Sequence, residues 1–140
     1  MRANKLNFAI ATGLLTIAVL ACSVSTANIS SLKIGKDKNV SQESSSFAAT
    51  DPIYATATIS NNPGKVKVKG RLSFEDVEGQ QAGPVPGLEK TLELDGSGMA
   101  TYSFTPPPNG WPKGKYKLEV IMMNEAGEQK DQKSSSIDVS

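Results

Sequence analysis

The chain of 140 residues has no histidine, one cysteine and one tryptophan, and only 6% of it is aromatic. Histidine is the usual general base near neutral pH and a common metal ligand, so histidine triads and histidine metal sites are excluded. A single cysteine excludes an intrachain disulfide and a cysteine zinc cluster. Fifteen basic residues stand against fourteen acidic ones, a net charge of +1. Phosphate binding draws on a basic excess, so nucleic acid is not an expected partner. The nucleophile-elbow spacing Gly-x-Ser-x-Gly is absent. Carboxylate, lysine or tyrosine chemistry remains open on composition alone. No cofactor is called for, and an enzyme is not expected. The length suits one domain.

The apolar residues that are present fall into two kinds of pattern. The first is a single run near the N-terminus. Arg2 and Lys5 precede Phe8 to Leu20, FAIATGLLTIAVL, and no acidic residue occurs before Asp37. The run is about 13 residues long, too short for the roughly 20 that span a bilayer and right for a signal-peptide core. It ends at Val19-Leu20-Ala21-Cys22. An ordinary secretory signal could instead be cut after Ala27, at Ser25-Thr26-Ala27.

The second pattern is alternation, and it fills the rest of the chain. Asn28 to Ile34 reads as a short first strand, and residues 35–46, GKDKNVSQESSS, as a flexible polar spacer. Ile53 to Ser60 alternates cleanly, with Ile53, Ala55, Ala57 and Ile59 on one face. Asn61 to Gly64 is a turn by composition, and Lys65 to Phe74 returns with Val66, Val68, Leu72 and Phe74 on one face. These two segments are expected to form a long antiparallel hairpin. Glu75 to Gly87 reads as a long loop, and Glu89 to Leu94 and Met99 to Thr105 as strands around a turn at Asp95 to Gly98. After a proline- and glycine-rich corner, Lys115 to Met123 places Tyr116, Leu118, Val120 and Met122 inward. Asn124 to Glu128 turns the chain, and Gln129 to Val139 closes it with Ile137 and Val139 inward. About seven antiparallel strands with no helical period predict an all-β fold, a single β-sandwich over 47–140.

Two resemblances follow from quoted residues. Val19-Leu20-Ala21-Cys22 resembles a bacterial lipobox. That resemblance implies a signal peptide over 1–21, cleavage before Cys22, and diacylglycerol on its thiol. Residues 22–46 are then the lipidated cysteine and a polar spacer. The corner Gly110-Trp111-Pro112-Lys113-Gly114-Lys115-Tyr116, with Phe47, Asp51, Ile53 and Tyr54 upstream, is similar to exported bacterial immunoglobulin-like domains. Leu118 stands where antibody domains carry a cysteine, so no disulfide is implied. Together they imply a lipid-anchored protein of the cell membrane or outer membrane, its domain facing the periplasm or exterior. The expected function is a non-catalytic protein-binding or accessory module with an envelope-protein partner. The alternative is a secreted or surface glycan- or ligand-binding domain.

Candidate contact residues come from surface positions. Lys65, Lys67, Lys69 and Arg71 form a basic stripe suited to an anionic surface, or simply a solvated face that discourages edge pairing. Ile121 and Met123 fall outward by parity and offer an apolar partner patch. Trp111 either stacks on a ligand or plugs the end of the sandwich. Glu75, Asp76 and Glu78 lack the spacing of a calcium loop and are read as balancing the nearby lysines.

Overall fold

A computed structural model describes residues 27–140. Eight strands form two facing sheets, and among the described residues there is no helix. β1 (Asn28–Gly35), β3 (Ile53–Ser60) and β6 (Gly98–Phe104) make a three-stranded sheet in the order β1-β3-β6. β2 (Ser46–Phe47), β4 (Lys65–Val77), β5 (Gly83–Asp95), β7 (Gly114–Met123) and β8 (Gln129–Val139) make a five-stranded sheet in the order β2-β8-β7-β4-β5. The described residues therefore form an all-β sandwich, as their alternation predicts.

The strand positions hold better than the pairings. β3 and β4 do not form the expected hairpin. β3 pairs with β1 and β6, and β4 with β5 and β7. The segment Asn61 to Gly64 carries the chain from one sheet to the other. Asn62 fastens that crossing, its Nδ2 donating to the Gly96 carbonyl at 2.8 Å. Two adjacent alternating strands can share a sheet or face each other, and both choices bury the same side chains. Here they face each other, and Ile53, Ala55, Ala57 and Ile59 meet Val66, Val68 and Leu72 in one core, all 5% exposed or less.

The long loop expected over 75–87 is mostly strand. β4 runs on to Val77 and β5 starts at Gly83, leaving a short turn in which the Gln80 amide donates to the Val77 carbonyl at 3.0 Å. Register shifts near Arg71/Ser73 and Phe74/Asp76 re-aim the strand so that it keeps pairing. The eighth strand, β2, runs parallel to β8, so the sandwich is not wholly antiparallel.

The sandwich also starts earlier than residue 47. β1 pairs with β3 from Asn28↔Ser60 to Gly35↔Tyr54 and buries Ile29 and Ile34. Residues 36–46 are folded onto it. Val40 is buried, Gly35 bridges Glu43, and the Ser44 amide donates to the Ile34 carbonyl at 2.9 Å. A serine-rich composition signalled a spacer, but these backbone groups find partners within the domain. Cys22 and the segment 1–26 lie outside the described residues.

Candidate interaction surface

The corner before β7 explains why its residue types occur together. Trp111 is 4% exposed and plugs the end of the sandwich. Its indole Nε1 donates to the Asp51 carbonyl at 2.8 Å, and its backbone amide donates to the Ala49 carbonyl at 2.8 Å. Its ring meets Tyr116 edge-on, with centroids 6.2 Å apart. Tyr116 is fully buried, and its hydroxyl donates to the Pro112 carbonyl at 2.6 Å. Burial pushes the Tyr116 phenol up to about 12. Gly114 has φ of 144°, and a Cβ there would lie 2.5 Å from the Asp76 carbonyl oxygen, so only glycine fits. Asp51 holds the turn from the other side. Its Oδ2 accepts the Ala48 amide at 2.8 Å and lies 3.3 Å from Lys36 Nζ. The Ala48 amide, then Lys36, hold its carboxyl below the ordinary 3.8. Trp111 is thus an internal brace. Its ring is not presented for stacking on a sugar.

The outer face of the five-stranded sheet carries the rest of the candidate residues. Lys65, Lys67, Lys69 and Arg71 do line up along β4, but β5 sets an acid beside nearly every one. Lys65 pairs with Asp95, Lys67 with Glu93 and Arg71 with Glu89 in register, and Lys69 Nζ lies 3.5 Å from Glu89 Oε1. Acids thus stand beside the stripe across strands, one of them ion-paired with Lys69, an arrangement that β4 read alone cannot show. Ile121 is outward by parity yet only 8% exposed, while Met123 is half-buried. Ile121 stands between Lys69 and Gln132 in register. Long side chains at such positions lay their apolar stems over a neighbour and keep the polar end in water. The expected apolar patch is therefore largely covered.

Sequence reasoning missed the centre of this face. Glu119 has a side chain only 7% exposed and accepts from Arg71 Nη2 at 3.0 Å, Gln132 Nε2 at 3.2 Å and Ser73 Oγ at 3.3 Å. Lys117 Nζ lies 3.8 Å away. The Arg71 guanidinium is held on one side, with its buried Nε unpartnered. The only hint in the sequence is a glutamate among apolar residues on β7, and its four neighbours come from three strands. Glu119→Ala is expected to destabilise the domain by about 1–3 kcal/mol by leaving buried donors without their acceptor. Glu119→Gln should cost less. Urea unfolding of both variants checks the order.

Among the described residues no cluster of His, Cys, Asp or Glu is placed to hold a metal ion. Glu75, Asp76 and Glu78 do not converge on one. The chain does contain one Ser-x-x-Lys spacing, Ser30 to Lys33. It runs along a strand, and the Ser30 hydroxyl is engaged with the Thr58 carbonyl at 3.3 Å and Ser60 Oγ at 2.8 Å instead of with the lysine. No described helix is long and apolar enough to cross a membrane.

No protein-family model and no curated relative matches the chain. Among solved structures, a Niemann–Pick type C2 protein from the Japanese carpenter ant is similar, with a TM-score of 0.48 and 15% identity over 85% of this chain and 96% of that one. A β-glucosidase involved in saponin metabolism from intestinal bacteria aligns with a TM-score of 0.46 and 16% identity, over 81% of this chain and 16% of that one. At these scores neither neighbour assigns an activity or a ligand to this chain.

Proposed function

We propose that this chain is a cell-envelope lipoprotein, anchored through acylated Cys22, whose immunoglobulin-like sandwich acts as a non-catalytic protein-binding module. The observation that carries the reading is Val19-Leu20-Ala21-Cys22 at the end of an uncharged apolar run that is too short to span a bilayer. Two or three acyl chains, each contributing roughly 0.8 kcal/mol per buried CH₂, hold a protein firmly where one is marginal. Support for the immunoglobulin-like class comes from the tyrosine of Gly114-Lys115-Tyr116, whose hydroxyl bonds back to the Pro112 carbonyl as in a tyrosine corner.

The start of β1 at Asn28 changes what the anchor does. Only residues 23–27 separate Cys22 from the sandwich. That length reaches about 20 Å when fully extended. The end of the sandwich bearing Asn61 to Gly64 and Asn124 to Glu128 is therefore held close to the bilayer, and the corner around Trp111 faces away from it. A binding module held this close meets partners at the membrane surface.

Cys22→Ser is expected to abolish acylation and leave the protein without its lipid anchor. Intact mass of membrane and soluble fractions measures both. A wild-type chain that begins at Asn28, carries no lipid and is soluble would overturn the anchored reading.

A further inference from the structure

The sandwich has four sheet edges, and three are blunted. β5 carries Pro84 and Pro86 and the charged residues Glu89, Lys90, Glu93 and Asp95, which oppose edge-to-edge pairing. β1 is closed by the Gly35–Glu43 bridge, the Ser44 amide on the Ile34 carbonyl, and the Ile29 amide on Asp131 Oδ2 at 2.8 Å. The edge beyond β8 is paired by β2 at Asp138 and Val139, and further along it carries Lys130, Asp131 and Lys133. The outer edge of β6 has none of these devices. Its seven residues, GMATYSF, contain no charge and no proline. Among the described residues no strand and no loop backbone bonds to that edge. On the same strand stands Met99, 62% exposed, the one large apolar side chain that the described residues leave open to solvent.

The sheets are also unequal in width. β6 lies over β4, where the Tyr102 hydroxyl donates to the Val68 carbonyl at 2.6 Å and the Tyr102 ring covers Gly70. Beyond the join from Asp95 to Gly98, where β5 meets β6, no strand of the three-stranded sheet lies over β5. Leu92 and Leu94 pair with Val68 and Val66, so they face inward, and Leu88 continues their face. All three are only half-buried. Lys90, paired with buried Gly70, shares that face, is exposed, and has no ion-pair partner among the described residues.

We propose that this slot is a docking site for an extended segment of another protein, which adds as a fourth strand beside β6 and covers β5. The reading rests on the domain being a binding module and names how it binds. An added strand bonds its backbone to the free edge of β6. Its inward side chains are apolar at alternate positions, over Leu88, Leu92 and Leu94. One acidic side chain reaches Lys90. A second copy of this chain is the wrong occupant. Closed self-pairing through one edge needs a two-fold axis that runs the two strands antiparallel. The two anchor-bearing ends then point opposite ways along a molecule whose 13-residue strands span about 43 Å. With the strands upright on the membrane, tethers of about 20 Å cannot seat both ends, and the seven residues of β6 bring no acidic side chain to meet Lys90.

The test pans a display library of nine-residue segments on the full chain in mild detergent. Enrichment of alternating apolar residues with one Asp or Glu at a fixed place is expected. The enriched peptides should bind Lys90→Glu about tenfold more weakly and recover when their acid becomes lysine. On binding, amides of residues 98–104 should gain protection from hydrogen exchange. A library without this pattern, or peptides indifferent to Lys90→Glu, overturns the slot. So does a free chain whose outer β6 amides are already protected, by its own residues or by a second copy seen in sedimentation. An envelope partner that binds wild type and Lys90→Glu alike, with no protection over 98–104, leaves the binding-module reading standing and removes the slot.

Discussion

Gly70→Ala is expected to lower stability by about 3 kcal/mol, read as a fall in the urea midpoint at unchanged m-value. Glycine in a strand is ordinarily a weakness that alanine repairs. Here the sign reverses. A Cβ at Gly70 would lie 2.7 Å from Cδ1 and Cε1 of Tyr102 and 2.8 Å from its Cγ. The ring cannot step aside, because it is 1% exposed and its hydroxyl is held by the Val68 carbonyl at 2.6 Å. Burial also raises the Tyr102 phenol well above its ordinary value, so the hydroxyl stays a donor throughout the neutral range. Adding Tyr102→Leu to Gly70→Ala should give less loss than the sum of the two single changes, since the clash is between those two groups. A loss equal to the sum would show that the ring does not set the glycine requirement.

Trp111→Ala is expected to cost about 3–5 kcal/mol, the range for removing a buried aromatic. The loss combines three parts. A cavity opens beside Tyr116, the Asp51 carbonyl loses its indole donor, and the joint between the corner and the 47–51 segment weakens. Trp111→Phe keeps most of the packing and loses the donor, so it should fall between alanine and wild type. Thermal unfolding of the three proteins measures the series. A small effect for Trp111→Ala would instead point to a tryptophan serving a surface role, and would restore the stacking function that its burial argues against.

Alternation along each segment located the strands because a sheet with one buried face imposes a period of two on whatever chain occupies it. Ile53 to Ser60, Met99 to Phe104 and Lys115 to Met123 could be read this way residue by residue. Pairing could not. The faces of β3 and β4 alternate identically whether the strands sit side by side or across the core, and the choice between hairpin and crossover is made by all the other strands together. The extension of β4 and β5 into a glycine- and proline-rich stretch was hidden for a similar reason. Bulges let an irregular sequence keep pairing, and they leave no periodic trace.

The candidate surface divides along the same line. The sequence by itself determined the all-β class, the inward faces of most strands, the absence of histidine chemistry, and the lipobox-like tetrapeptide at Cys22. Those depend on residue type and on spacing along one chain. Only the tertiary structure decided that the Lys65–Arg71 stripe is met by acids on β5, that Ile121 is covered, that Glu119 is enclosed by Arg71, Ser73 and Gln132, and that Trp111 points inward. It also decided that, among the described residues, no strand pairs with the outer edge of β6. Each of these depends on which strand lies beside or across from which. That is fixed by packing two sheets into one core, and not by any single strand's own pattern.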